Sequence, residues 1–143
     1  GYTSYGSMDQ LHLQHSVFAQ FDLAVRKCLP VFLRACGISV QAKELNMSNC
    51  WVNIMRAGSQ HSFHIHPKAV VSGTYYLRVD SGSSPLRVED PRAGSFMVAA
   101  ERKIQHDVKP RTGDVVLFES WMRHEVPAYW GKTDRVGISF NFG

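Results

Sequence analysis

The stretch RVGISFNF, Arg135 to Phe142, alternates residue by residue. Val136, Ile138, Phe140 and Phe142 form an apolar set, while Arg135, Gly137, Ser139 and Asn141 form a set that is polar or small. Alternation with period two is the signature of a β-strand whose two faces meet different surroundings. The apolar face can pack. An inward face of Arg, Gly, Ser and Asn is costly to bury unless a polar ligand satisfies it. Arg135 then has two readings: its forked guanidinium holds the carboxylate of an anionic molecule, or it pairs with the adjacent Asp134.

Working back from this strand, short apolar runs are divided by turn residues. Strands are expected at 45–56, 70–79, 85–90, 95–98, 104–109, 114–119 and 135–142, bounded by RAG, DSGSSP, DPRAG, KPRTG and WGKTD. Such spacing predicts an antiparallel sandwich or barrel over 45–143. Residues 7–36 read as helical. Ser7 and Gln10 have the spacing of a capping box, and Leu13, Val17, Phe21, Val25 and Leu29 recur every four residues. Pro30 is expected to break or kink the helix and Gly37 to end it. The helices would cover an outer face of the sheet.

The chain has 143 residues, enough for one domain spanning 1–143 with an ordinary core. Its apolar fraction of 44% and charged fraction of 20% are those of a globular protein. No window approaches the roughly 18 consecutive apolar residues of a membrane span. The net charge of +4 comes from scattered Lys and Arg with acids interleaved, so nucleic acid is not the expected partner. Cys28, Cys36 and Cys50 form no C-x-x-C pair, and we expect buried free thiols in a reducing compartment, the cytoplasm. The opening GYTSYGSMDQ has neither the basic nor the apolar region of a secretory signal.

The chemistry centres on HSFHIHP, His61 to Pro67. On a strand, residues two apart share a face, so His64 and His66 can aim two imidazoles at one point. An isolated H-x-H can also be two surface residues, and a metal site needs a distant partner. His124, where the chain leaves the strand Val115–Phe118, offers one. His61 is out of register and reads as a loop residue near the mouth of a site. His12, His15 and His106 read as surface residues. Trp121, Met122 and Trp130 flank His124, as packing or as a lid. There is no G-x-S-x-G, no Walker loop and no Cys–His nucleophile pairing, so hydrolase and NTPase readings have no support.

His64-x-His66, the distant His124 and Arg135 eleven residues later resemble the 2-oxoglutarate and Fe(II)-dependent dioxygenase superfamily. WVNIMRAGSQHSFHIH is similar to a run of its nucleic-acid demethylating branch. HIHP, SGTYY, EDPR and RVGISFN resemble the ordered motifs of an uncharacterised branch of 2OG-Fe(II) oxygenases. The resemblance implies a mainly β (α+β) double-stranded β-helix, or jelly roll. It implies Fe(II) held by His64, His66 and His124, and 2-oxoglutarate held by Arg135 and Asn53, with Met55 replacing the usual tyrosine. Ser139, Asn141 and Tyr76 are expected to complete the cosubstrate contacts. Dioxygen would be the oxidant, succinate and carbon dioxide the coproducts, and hydroxylation of an unidentified substrate the outcome.

Two positions depart from the pattern. His66 stands where most of the superfamily has Asp, leaving a metal centre one unit more positive, and Gly137 stands where the pattern has Ser. Imidazole suits several divalent metals, so three histidines remain a reasonable set. Glu125 or Asp114 would serve as carboxylate substitutes only if the backbone brought them close. Three rivals stay open: a cupin-like three-histidine dioxygenase that does not use 2-oxoglutarate, a non-catalytic β-sandwich binding module, and a metal-binding but inactive relative.

Overall fold

The structure, a computed structural model, describes residues 1–92, 94, 97, 98, 101 and 103–143. The chain runs β1 (Tyr2–Thr3), α1 (Leu11–Gln14), α2 (Ser16–Arg26), α3 (Leu29–Ala35), a 3₁₀ turn (Ala42–Glu44), β2 (Met47–Met55) and β3 (His61–His64). There follow β4 (Val71–Arg78), β5 (Leu86–Glu89), β6 (Gln105–Val108), β7 (Val115–Glu119), β8 (His124–Val126) and β9 (Arg135–Phe142). The fold is mostly β, with antiparallel sheets and few helices. One sheet has the order β1-β2-β9-β4-β7 and the other β3-β8-β5-β6. Of the expected strands, that at 95–98 falls partly on residues 95 and 96, outside the described residues. His61 opens a strand, not a loop, and β8 was not foreseen either.

The alternation of β9 is realised in three dimensions. Phe140 and Phe142 are buried with Leu11, Val25, Leu29 and Leu33 of the helices, and Ile138 packs against the same cluster. The opposite face of β9 continues across its neighbours. Trp51, Asn53 and Met55 of β2 lie opposite Ser139, Gly137 and Arg135, and Ser72, Thr74 and Tyr76 of β4 lie opposite Asn141, Ser139 and Gly137. Three adjacent strands thus turn one mixed polar and aromatic face away from the helices, toward the second sheet. Met55, Phe118, Leu86 and Val126 join the two sheets in a second apolar cluster.

The helical region is broken where a single helix was expected. His15 is extended (φ −136°, ψ 131°) and separates α1 from α2, which rotates the apolar stripe. Leu13 and Val17 are therefore 72% and 65% exposed, while Leu11, Val25 and Leu29 are buried. Ser7 caps nothing. Its hydroxyl donates to the Ser4 carbonyl, and α1 starts at Leu11 without a side-chain cap. Pro30 sits in the first turn of α3, where a missing N–H is harmless, and Gly37 (φ +68°) follows the helix end. Among the described residues no helix is long and apolar enough to cross a membrane.

Two further expectations fail. His12 is buried, and Cys28 and Cys36 are exposed, so only Cys50 is a buried thiol. Desolvation pushes the Cys50 pKa up to about 12, which makes it an inert part of the core.

Candidate active site

His64, His66 and His124 present one ring nitrogen each, all within 4.8 Å of one another. His64 and His124 are cross-strand partners of β3 and β8. His64 ends its strand, so His66 is placed otherwise: its N–H donates to the Ser120 carbonyl at 2.9 Å, just past β7. The turn beyond it is fixed by Pro67 and by Lys68, which has φ +69°. Glu125 and Asp114 are engaged elsewhere, Glu125 with Arg87 and Asp114 with Arg111. Neither belongs to the histidine cluster, so no carboxylate substitutes for His66 there.

The ring nitrogens are oriented for ligation. His64 Nδ1 lies 2.7 Å from the Ser62 carbonyl and His124 Nδ1 lies 2.8 Å from the Met122 carbonyl. A carbonyl only accepts, so Nδ1 carries a proton on both rings, and Nε2 is the atom of each that can offer a lone pair. Burial, reinforced by His124 and His64, pushes the His66 pKa down to about 4. Burial also brings His124 to about 4, against the raising effect of its bond to Met122. Both rings are neutral at pH 7, as a metal ligand must be. This donor set fits a divalent transition metal.

Beside the histidines opens a cavity of about 480 Å³ between the two sheets. Arg135 lies in its wall, 6% exposed. Its Nη1 is 2.9 Å from Met55 Sδ, its guanidinium carbon is 5.1 Å from the Tyr76 ring centroid, and its buried Nε has no partner. No ion pair among the described residues uses it. Asp134 instead faces Arg56 and Arg78, which removes the pairing alternative. Burial pulls the Arg135 pKa below its ordinary value, while Tyr76 and Tyr129 pull it up. A buried, fork-shaped cation without a counter-ion has the shape and charge to receive an anion.

The remaining expected residues divide. Asn53, Tyr76 and Ser139 line the cavity, with Asn53 Nδ2 donating to Ser139 Oγ at 3.0 Å and Ser139 Oγ 3.0 Å from Thr74 Oγ1. Asn53 Oδ1 is buried without a partner. Gly137 also lines the cavity, and a Cβ there would come within 3.0 Å of Thr74 Cγ2. Asn141 does not reach the cavity. Its Oδ1 accepts from Ser72 Oγ at 2.8 Å, and Ser72 in turn lies 2.7 Å from Ser120 Oγ, a buried knot that braces the sheet. Tyr75 packs on Phe21, on the helix side.

His61 lines the cavity, its pKa lowered by burial and by His64 and Arg135. Trp121 and Trp130 are exposed, and Met122 packs under the sheet. His106 lies exposed on the edge strand β6. Sequence reasoning missed Tyr5 and Trp51, which stand at the cavity with rings 4.9 Å apart. Trp51 carried a readable signal, since it shares period-two register with Asn53 and Met55. Tyr5 carried none, because it lies in a turn past the two-residue strand β1, where no period applies.

A family model described as "Putative 2OG-Fe(II) oxygenase" matches residues 49–141. No curated protein matches. Among solved structures, a 2OG-Fe(II) oxygenase family oxidoreductase from Burkholderia pseudomallei is similar at TM-score 0.61 and 17% identity, over 74% of this chain and 48% of that one. A Pseudomonas putida prolyl-4-hydroxylase is similar at TM-score 0.63 and 18% identity, over 90% of this chain and 63% of that one. HygX from Streptomyces hygroscopicus, solved with nickel and 2-oxoglutarate bound, is similar at TM-score 0.66 and 18% identity, over 95% of this chain and 70% of that one. At these identities the likeness is one of fold. The chain spans 48% and 63% of the length of the first two.

Proposed function

The chain belongs to the 2OG-Fe(II) oxygenase family, and from that premise we propose that it is an Fe(II)- and 2-oxoglutarate-dependent dioxygenase that hydroxylates a substrate. In the balanced reaction, substrate R–H, dioxygen and 2-oxoglutarate give R–OH, succinate and carbon dioxide. The observation that carries this reading is Arg135: buried in the wall of the cavity beside the three-histidine cluster, with no counter-ion among the described residues. A three-histidine dioxygenase that does not use 2-oxoglutarate would leave that charge unexplained. In this reading the two sheets form the double-stranded β-helix of the superfamily.

His64, His66 and His124 would hold Fe(II) through one nitrogen each. When bound, the iron supplies the redox chemistry by which dioxygen is reduced while the 2-oxo acid is decarboxylated. The carbonyls of Ser62 and Met122 hold two of the rings in place, which lowers the cost of ordering them as ligands. Arg135 would hold the carboxylate remote from the oxo group, to which its forked guanidinium is suited, and Tyr76 beneath it holds the guanidinium in place. Asn53 would assist if its amide turns over: Ser139 Oγ then donates to Oδ1, Thr74 donates to Ser139, and Nδ2 becomes a free donor where the unpartnered oxygen stood. Phe118, 4.5 Å from the His124 ring, keeps water from the back of the site.

The test is turnover. With Fe(II), 2-oxoglutarate and air the protein should consume 2-oxoglutarate and form succinate, and His124→Ala should not. If metal binds but 2-oxoglutarate neither binds nor disappears, the reading is wrong.

A further inference from the structure

We propose that the part of the cavity left once metal and cosubstrate are seated receives an uncharged, mainly apolar group of the substrate, laid against Tyr5 and Trp51; this rests on the dioxygenase reading. A line of rings runs from solvent to the metal ligands. Tyr5, 54% exposed, tilts onto Trp51 at 4.9 Å, and Trp51 lies 5.9 Å from His66. Phe63, Ile65, Leu86 and Val126 add apolar lining to the same cavity, beside the uncharged Thr3 and Ser62 and the ring of His61. An exposed aromatic ring continuous with a half-closed apolar cleft is a surface built to be covered.

The charges settle what covers it. Among the described residues that line the cavity there is no Asp, Glu or Lys, and Arg135 is the one fixed cation. A divalent metal and the 2-oxoglutarate dianion cancel. His66, standing where a carboxylate would add a negative charge, leaves Arg135 as the net charge of the loaded site. A cationic group entering there meets net repulsion and finds no acid to pair with. An anionic group finds its only strong partner already committed to the cosubstrate. A cation would be desolvated without compensation, and an anion would lose its hydration for a residual field with no cationic side chain left to bond it. Arg123, stacked on Phe63 at 4.4 Å, is tied to both oxygens of Glu89 at 2.6 and 2.7 Å, so that pair adds no net charge at the rim.

The experiment uses the full chain loaded with Zn(II), which blocks turnover, and saturating 2-oxoglutarate. Benzyl alcohol, benzylammonium and phenylacetate, one ring with three charges, are titrated by ligand-observed NMR. Benzyl alcohol should bind at least about tenfold more tightly than either charged probe. Tyr5→Ala should weaken it by about threefold or more. Thr3→Glu, at an exposed position on the rim, should raise the affinity for benzylammonium. The inference is overturned if either charged probe matches benzyl alcohol, if benzyl alcohol does not bind, or if Tyr5→Ala leaves its affinity unchanged. The 2-oxoglutarate resonances are read in the same sample. If 2-oxoglutarate stays free, the parent reading falls and this inference with it. If 2-oxoglutarate binds and the ranking fails, the inference alone is wrong.

Discussion

His64 and His124 face each other across the β3–β8 ladder with ring centroids 4.3 Å apart, and each donates Nδ1–H to the carbonyl two residues before it. The same local bond, made twice on paired strands, turns two Nε2 atoms toward one point. His66 joins them from outside the ladder, its backbone N–H bonded to the Ser120 carbonyl and its ring beside Trp51 and Phe118.

Metal affinity should follow this arrangement. His124→Ala and His66→Ala each remove a nitrogen of the proposed ligand set and should weaken Zn(II) or anaerobic Fe(II) binding by at least about tenfold. His66→Asp replaces the imidazole with another ligand type and should lose less. Calorimetric titration of the three variants checks the order, and equal affinity for His66→Ala and wild type would remove His66 from the site.

Arg135 separates stability from binding. Arg135→Met removes a buried charge that has no counter-ion, so the melting temperature without cosubstrate should be unchanged or higher. Wild type at a hundredfold excess of 2-oxoglutarate over Kd should gain about 2.7 kcal/mol, a shift of several degrees, and the variant should gain none. Thermal melts with and without 2-oxoglutarate measure both.

Asp80 predicts an acid-labile brace. Its carboxylate accepts from the Tyr129 hydroxyl at 3.2 Å, from Thr133 Oγ1 at 3.3 Å and from the backbone N–H groups of Gly82, Lys132 and Thr133. Desolvation raises its pKa, but the bonds from Thr133, Tyr129 and Gly82 outweigh it and the net shift is downward. A lowered carboxyl pKa means stability present above the unfolded value of about 3.9 and lost as pH falls through the folded value. Wild type should therefore melt above Asp80→Asn at pH 7, with the gap closing below about pH 4.

Lys68 stores strain next to His66. Its φ of +69° is left-handed, a conformation glycine adopts without cost. Lys68→Gly should be neutral or stabilising by up to about 1 kcal/mol, read from denaturant midpoints. A clear loss of stability would show that the lysine side chain contributes there.

Much of the site was legible because strands have a strict period. The alternation of β9 placed Arg135, Gly137 and Ser139 on the cavity side and Phe140 and Phe142 against the helices. Asn141 shares that register yet lies where the sheet closes on Ser72 and Ser120, and depth along a strand leaves no mark in its alternation. His64 and His66 were matched to one strand, whereas β3 ends at His64 and the rings converge through tertiary contacts. The helical stripe failed because His15 breaks the helix without glycine or proline to announce it. His12 read as exposed for the same reason. Tyr5, in the turn after β1, is carried to Trp51 and the cavity by the pairing of Tyr2 and Thr3 with Ile54 and Asn53, across about fifty residues of sequence.

The most direct measurement is an anaerobic titration of Fe(II) and 2-oxoglutarate into wild type and Arg135→Ala, watching the visible metal-to-ligand charge-transfer band and then succinate on admitting oxygen. Wild type should develop the band and form succinate, and Arg135→Ala should do neither at the same concentrations. Iron binding without a band in wild type, or an equal band in both proteins, would contradict the account.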